Sequence, residues 1–426
     1  MPVGVYISVP FCRTKCSFCN FASGVFSKSA YENYVARLLE DIPASRQLAS
    51  ELGCRLDDTS DSIYLGGGTP SILEGPQLQR IFTAVRAHFA VTPDAEITVE
   101  CAPGTLTPAL IETLQQCGVN RVSLGVQSFV DREAQSVGRL HNRATVLEEI
   151  GRLREAGLHN ISIDLIAGLP HQTPDTWAYS VSEVIATGVP HASVYMLEVD
   201  DDSRLGRELI AGGARYHAHF VPDDDTTADS YQQACEMFAA AGIAQYEISN
   251  FARTETRVPR PGSPWAYALQ TNESLHNLKY WTRQPYLGFG VDAHSMLTAN
   301  RQRDDGHQAI RFATPDSLDA YMNRAPRTIT PVAAQAAVEE SFFLGLRLNR
   351  GVDLSRIMNC HPEQSEGPAF FDSAIESCIH DGLLEQQGAI VRLTARGRLL
   401  SNEVFARFLT EKMEETKVGT GRVNPR

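Results

Sequence analysis

The chain has 426 residues, 43% hydrophobic and 21% charged, a composition that excludes wholesale disorder and leaves room for a large core plus a second, smaller unit. Its formal net charge of −13 argues against non-specific nucleic-acid binding, which needs a basic surface to displace phosphate counterions. The leading segment Met1–Val9 lacks the basic start of a signal peptide, and no run of about 18 apolar residues occurs, so a cytoplasmic protein is expected, with membrane contact peripheral at most.

Apolar runs alternate with amphipathic stretches through the first half. Gly4–Val9, Ser62–Leu65, Glu96–Glu100, Arg121–Gly125, Asn160–Ile166 and Ser193–Leu197 read as strands. Between them Ala30–Leu48, Pro76–Phe89, Pro108–Cys117, Ala144–Ala156 and Pro174–Ala186 read as helices. Six βα steps predict an α/β fold, a partial (βα)6 barrel of the TIM type with a parallel sheet and right-handed crossovers. Beyond Leu197 the pattern changes: Asp200–Arg207 is a charged loop, Asp223 opens a helix running to Ala241, and 252–275 reads as an exposed loop. From about 330 the chain turns helical, with the short strand Ala389–Leu393, which predicts a winged-helix-like C-terminal unit and a disordered last dozen residues. The expected division is a barrel over 1–250, a connecting segment over 251–329 and a helical domain over 330–426.

Cys12, Cys16 and Cys19 follow the first strand as Cys-x3-Cys-x2-Cys. Three close thiolates hold an iron–sulfur cube and leave one iron open to an outside ligand. Structural zinc wants four protein ligands, and the first histidine in the chain is His88. A disulfide reading leaves one cysteine unpaired. Arg13 and Lys15 favour the thiolate form, and Phe11, Phe18 and Phe21 offer an apolar collar. The six remaining cysteines (Cys54, Cys101, Cys117, Cys235, Cys360, Cys378) have no paired spacing and read as buried free thiols in a reducing compartment. Strand alternation puts Cys101 on the face opposite Glu100, away from the cysteine loop.

The strand ends carry further polar groups. Gly66–Pro70 follows strand two, Glu100 closes strand three, Gln127 follows strand four, and Asp164 lies late in strand five. Parallel barrels gather ligand groups at the carboxyl ends of their strands. Each residue has a plain alternative, a turn residue for Gln127 or a loop cap for Asp164, but together they point to one shared site.

The cysteine spacing, with an aromatic before the third cysteine, resembles the signature of the radical S-adenosylmethionine superfamily, and Gly66–Pro70 resembles its second motif. Tyr6-Ile-Ser-Val-Pro-Phe-Cys12, Glu100-Cys-Ala-Pro103, Ser123-Leu-Gly-Val-Gln-Ser-Phe129, Asp164-Leu-Ile-Ala-Gly-Leu-Pro170 and Tyr246-Glu-Ile-Ser-Asn-Phe-Ala252 narrow this. They resemble the oxygen-independent coproporphyrinogen III oxidase family over nearly the whole chain. That resemblance implies a [4Fe-4S] cluster on Cys12, Cys16 and Cys19 and S-adenosylmethionine held by Tyr6, Phe18, Gly67, Gly68, Thr69, Glu100, Gln127, Arg139 and Asp164. Arg139 suits the methionine carboxylate and the two acids suit ribose hydroxyls or the amine. Asn20 stands where aspartate is common, a minor change. The oxidase itself has a further cysteine where this chain has Phe21, and an N-terminal extension where this chain starts eleven residues before Cys12. Both departures point to the family's non-oxidase branch of heme chaperones. His276-Asn-Leu-Lys-Tyr-Trp281 matches a motif associated with heme in that branch.

On physical grounds His276 offers an imidazole for iron, Tyr280 and Trp281 flat apolar surface, and Lys279 or Arg283 charge for propionates. The plain alternative is a structural turn with His276 hydrogen-bonded internally. His191, His294 and Cys235 are further candidate ligands. The expected function is heme binding and delivery to an acceptor protein, with an electron donor for the cluster. The rival is a radical enzyme acting on coproporphyrinogen III or transferring methyl groups. A C-terminal unit acting on DNA is disfavoured by the net charge, so no nucleic-acid partner is expected.

Overall fold

The structure is a computed structural model and describes residues 1–199, 201, 203–253, 272–300, 306–355 and 367–409. Most of the loop 252–275, Asp200, Asp202, Cys360 and the last dozen residues lie outside the described residues.

Six parallel strands form the barrel wall: β1 (Val3–Val9), β2 (Thr59–Gly67), β3 (Ala90–Cys101), β4 (Arg121–Gln127), β5 (Asn160–Ala167) and β6 (His191–Met196), hydrogen-bonded in that order. The helices between them are α1 (Lys28–Glu51), α2 (Gly75–His88), α3 (Pro108–Gln116), α4 (Asp131–Ser136), α5 (Arg143–Glu155) and α6 (Pro174–Thr187). Every strand and helix expected of the first half is present, within a few residues of its expected bounds apart from the longer β3. Starts are fixed locally: Pro108 and Pro174 occupy first helical positions, and Thr107 and Thr173 accept from the backbone N–H groups three residues on. Helices cover the outer face of the strands, so Ile63, Ile97, Val99, Val122, Ile161 and Ile163 pack there, while the alternate positions turn polar side chains into the lumen.

The later chain completes the wall at both edges. After α7 (Arg204–Ile210) and α8 (Asp224–Ala240), β7 (Ile243–Gln245) and β8 (Asn250–Arg253) extend it antiparallel beyond β6. After α9 (Leu275–Trp281), β9 (Tyr286–Gly290) pairs parallel with β1, from Gly4 opposite Tyr286 to Ser8 opposite Gly290. β10 (His294–Thr298), β11 (His307–Ala313) and β12 (Thr328–Ala333) follow antiparallel, giving a sheet of twelve strands among the described residues. α10 (Leu318–Met322) lies between β11 and β12. β9, β10 and β11, within what the sequence offered as a connecting segment, and β12, which crosses its expected end at 329, therefore belong to the sheet.

α11 (Ala334–Leu346) leads into the C-terminal unit, a three-stranded antiparallel sheet of β13 (Val352–Asp353), β14 (Leu384–Gln387) and β15 (Ile390–Leu393) with helices at Gly367–His380, Ala395–Leu399 and Ser401–Ala406. It has its own apolar cluster around Phe342, whose ring lies 4.4 Å from Phe408. No helix among the described residues is long and apolar enough to cross a membrane.

Where β9 meets β1, Gly290 has φ +99°, and a Cβ there would collide with the Tyr34 hydroxyl and the Ser8 carbonyl. These two groups are themselves hydrogen-bonded at 2.5 Å. Gly290→Ala is expected to destabilise the chain by about 2–4 kcal/mol, combining left-handed backbone strain with overpacking. Urea denaturation reads this directly, and an unchanged midpoint would show that the β1–β9 seam is loose.

Candidate functional site

The carboxyl ends of the barrel strands open into a cavity of about 730 Å³. Cys12, Cys16, Cys19, Phe18, Gly67, Gly68, Thr69, Glu100, Gln127, Arg139 and Asp164 all line it. Of the residues expected at the nucleotide site, Tyr6 alone does not line it; its ring lies deeper in the lumen, stacked 5.9 Å from Tyr64 and 6.1 Å from His276.

The cysteine loop is pinned at several points. Ser17 N–H donates to Val137 O at 3.1 Å, Thr14 to Gly138 O at 3.0 Å, and Lys15 Nζ to Phe21 O at 2.9 Å. Lys15 thus braces the loop through its backbone, and Arg13 reaches Gly104 O at 3.2 Å. The Cys12 sulfur accepts from Thr69 Oγ1 and the Cys16 sulfur from Arg139, each at 3.7 Å. Burial pushes the Cys12 thiol up, and the neighbouring Cys19 and Cys16 thiols add to the shift. An iron cluster, with its positive charge at the sulfurs, removes that penalty. Among the described residues no three His, Cys, Asp or Glu side chains converge closely enough to share one metal ion. A cubane asks for something wider, since each thiolate binds a different iron. Phe18 and Phe21 face the cavity, whereas Phe11 is buried against Tyr31 at 4.1 Å and belongs to the core. Cys101 is likewise a core thiol, raised by burial, with its sulfur 3.8 Å from Val99 O.

Bare backbone brings β2 against this loop. Gly68 N–H donates to Val9 O at 2.7 Å, and a Cβ on Gly68 would lie 2.8 Å from Phe11 O and 3.0 Å from the Cys12 sulfur. Gly67 holds φ +103°, a conformation glycine takes without strain. Its N–H donates to Glu100 at 3.2 Å, and the other Glu100 oxygen accepts from Tyr64 at 2.9 Å. Asp164 accepts from Ser123 at 3.0 and 3.1 Å. Gln127 is held at φ +70°, and its Oε1 is buried without a protein partner, as is Arg139 Nε. Orphaned polar atoms of this kind at a cavity wall fit a polar ligand such as S-adenosylmethionine.

Sequence reasoning missed two groups here. Tyr64 and Ser123 share the inward face with Ser62 and Thr98, and strand alternation was the available signal. Arg347, Arg398 and Asn402 close the cavity from the C-terminal side, and no local pattern foretells that. A smaller cavity of about 320 Å³ beside Tyr246 and Asn349 holds no comparable set of groups.

The His276 motif lies at the opposite end of the barrel lumen. α9 plugs it, with the Glu96 carboxylate accepting from the Leu275 and His276 N–H groups at 3.1 and 3.2 Å. His276 is 1% exposed, its Nδ1 3.0 Å from Ser62 Oγ and its Nε2 2.9 Å from Tyr280 OH. Burial, with Lys279 beside it, pushes its pKa down to about 3. Lys279 pairs with Asp61 at 2.7 Å and Arg283 with Glu340 at 2.7 Å. Trp281 is buried under the Arg347 guanidinium at 4.2 Å. Only Ser274 and Asn277 of this helical segment reach the cavity. His191 lines the cavity but is engaged by Ser162 at 2.7 Å and Tyr246 at 3.0 Å, and burial holds it well below the usual histidine range. His294 is exposed on β10, and burial raises the Cys235 thiol on α8 to about 11.

Three cysteines on the loop after the first strand, a glycine turn against them and acids on the next strand ends define a radical S-adenosylmethionine fold. The Radical SAM superfamily profile matches residues 6–183, and the HemN C-terminal domain profile matches 332–400. The heme chaperone HemW of Bacillus subtilis is 31% identical over 95% of this chain and 99% of its own length. That of Escherichia coli is 33% identical over 70% of this chain and 71% of its own. The chain belongs to the HemW family of heme chaperones. Its fold is also that of the Escherichia coli coproporphyrinogen III oxidase HemN, with a TM-score of 0.76 at 22% identity over 96% of this chain and 90% of that one.

Three buried neutral histidines, His191 among them, set an acid limit. His276 titrates near 3, and burial, with Arg139 nearby, pushes His141 down to about 4. Both lie below the unfolded value of about 6.5, so their contribution is complete above that pH and is lost as pH falls towards 4 and then 3. The urea midpoint is expected to drop between pH 7 and 5, and a flat profile would show that these rings are not held neutral.

Proposed function

We propose that this chain is a cytoplasmic heme chaperone that holds a [4Fe-4S] cluster on Cys12, Cys16 and Cys19, binds S-adenosylmethionine in the adjoining cavity, and passes heme to an acceptor protein. The observation that carries the cofactor part is the convergence of three thiols, bare glycine backbone and orphaned Gln127 and Arg139 atoms on one wall. Support for the cargo comes from relatives named heme chaperones that match over nearly the full length.

The residues divide the work. Cys12, Cys16 and Cys19 would hold the cluster, which would supply an iron open to an outside ligand such as S-adenosylmethionine. Gly67 and Gly68 let the methionine end lie against backbone, Arg139 presents a guanidinium to its carboxylate, and Glu100 and Asp164 accept from amine or ribose hydroxyls. Phe18 and Phe21 limit water at the sulfurs. A bound cluster supplies a reducible centre, charged by an electron donor.

The His276 motif enters as the family's heme-associated element, with Tyr280 and Trp281 beside it. In the arrangement described, iron ligation by His276 costs its two hydrogen bonds and an opening of α9.

Anaerobic reconstitution followed by hemin titration, with a parallel assay for coproporphyrinogen III turnover under a reductant, tests the reading. Hemin binding without turnover is expected; porphyrin turnover makes the chain an oxidase instead. Arg139→Ala is expected to weaken S-adenosylmethionine binding tenfold or more, about 1.4 kcal/mol, while cluster absorbance persists. Equal affinity would remove Arg139 from the carboxylate site.

A further inference from the structure

One rim of the cavity carries chemistry that the cluster site leaves unused. The stretch 203–220 holds three arginines, two histidines and a single glutamate in a chain of net charge −13. It consists of α7 and a short helical turn at Arg215–Phe220. It is fastened to the cysteine loop, with Leu205 N–H donating to Ser17 O at 2.9 Å, and to the loop after β5, with His171 N–H donating to Phe220 O at 3.0 Å. It therefore stands beside the mouth of the cavity, on the edge where Ile166 and Leu197 line its wall.

The turn presents apolar side chains to solvent: Ile210, Tyr216 and Phe220 are 69%, 37% and 45% exposed. His171 and His219 flank the Phe220 ring at 4.0 Å each. Three non-glycine residues adopt left-handed backbone here, His171 at φ +70°, Tyr216 at +54° and His217 at +57°. Strain of that kind persists where surrounding contacts enforce it.

The three imidazoles are not equivalent. Arg132 donates to His171 Nδ1 at 3.2 Å, which leaves the His171 Nε2–H to donate to His217 Nδ1 at 3.1 Å. Burial lowers the His171 pKa, with Arg132 and His217 adding to it, so the neutral His171 ring that joins the pair is favoured. His219 has no hydrogen bond among the described residues and is exposed, as is the Arg215 side chain. A porphyrin needs one neutral imidazole for iron, aromatic surface for the ring and guanidinium for propionates. This rim offers all three, and the buried His276 offers none of them to solvent.

We propose that this rim is a heme-docking site in which His219 supplies the axial ligand to iron, Tyr216 and Phe220 pack on the porphyrin, and Arg215 pairs with a propionate. The His171–His217 pair fixes the turn. The assignment rests on the heme-cargo reading above.

The test is titration of the full-length, reconstituted chain with hemin, followed at the Soret band, and with iron-free protoporphyrin IX. His219→Ala is expected to weaken hemin binding at least tenfold and to leave iron-free porphyrin unaffected. His219→Met is expected to retain binding with a shifted Soret band, which separates ligation from folding. If His219→Ala leaves affinity and spectrum unchanged while the parent chain binds hemin, the docking site is overturned and the chaperone reading stands. If the parent chain binds no hemin, both fall.

Discussion

Everything at the candidate site depends on how closely the backbone after β2 approaches the loop after β1. Gly68 sits where a single methyl group would strike Phe11 O and the Cys12 sulfur. That contact fixes the distance between the thiols and the wall carrying Glu100, because Gly67 N–H is also a Glu100 donor. Parallel pairing propagates the constraint, with Glu100 opposite Ser123 and Gly125 opposite Asp164. Small residues at one step thus set the alignment of five strand ends.

The barrel was legible because its signals are local. Each strand has an apolar face, the crossover helices are amphipathic and those at α2, α3, α5 and α6 start with a proline or a cap, and the cysteine spacing announces itself within eight residues. The polar strand ends were legible for the same reason, since alternation decides which side chains face inward. Tyr6 shows the limit of that logic: alternation turns it inward but does not say at what depth, and it stands behind Tyr64.

What escaped was non-local. The strands from Tyr286 to Ala333 join the sheet through pairing with β1, a partner almost the whole barrel away in sequence. The C-terminal unit contributes Arg347, Arg398 and Asn402 to a cavity whose other walls come from the first half. The His276 hexapeptide was legible as a motif but not as a place, because its burial comes from Ser62 and Glu96 on distant strands. A histidine with both nitrogens engaged and a pKa near 3 is chemically quiet, whereas sequence alone presents it as an available ligand.

The pairing of β9 with β1 also bears on synthesis. β1 is made long before β9, so one edge of it remains open until residues 286–290 have left the ribosome. Meanwhile the nascent chain already displays a strand with free backbone groups and three thiols able to take metal or oxidise. Unpaired strand edges on incomplete chains are sites of misassociation. The order of translation therefore leaves the metal-binding loop and the open strand edge exposed together, and the same late segment that closes the sheet ends that exposure.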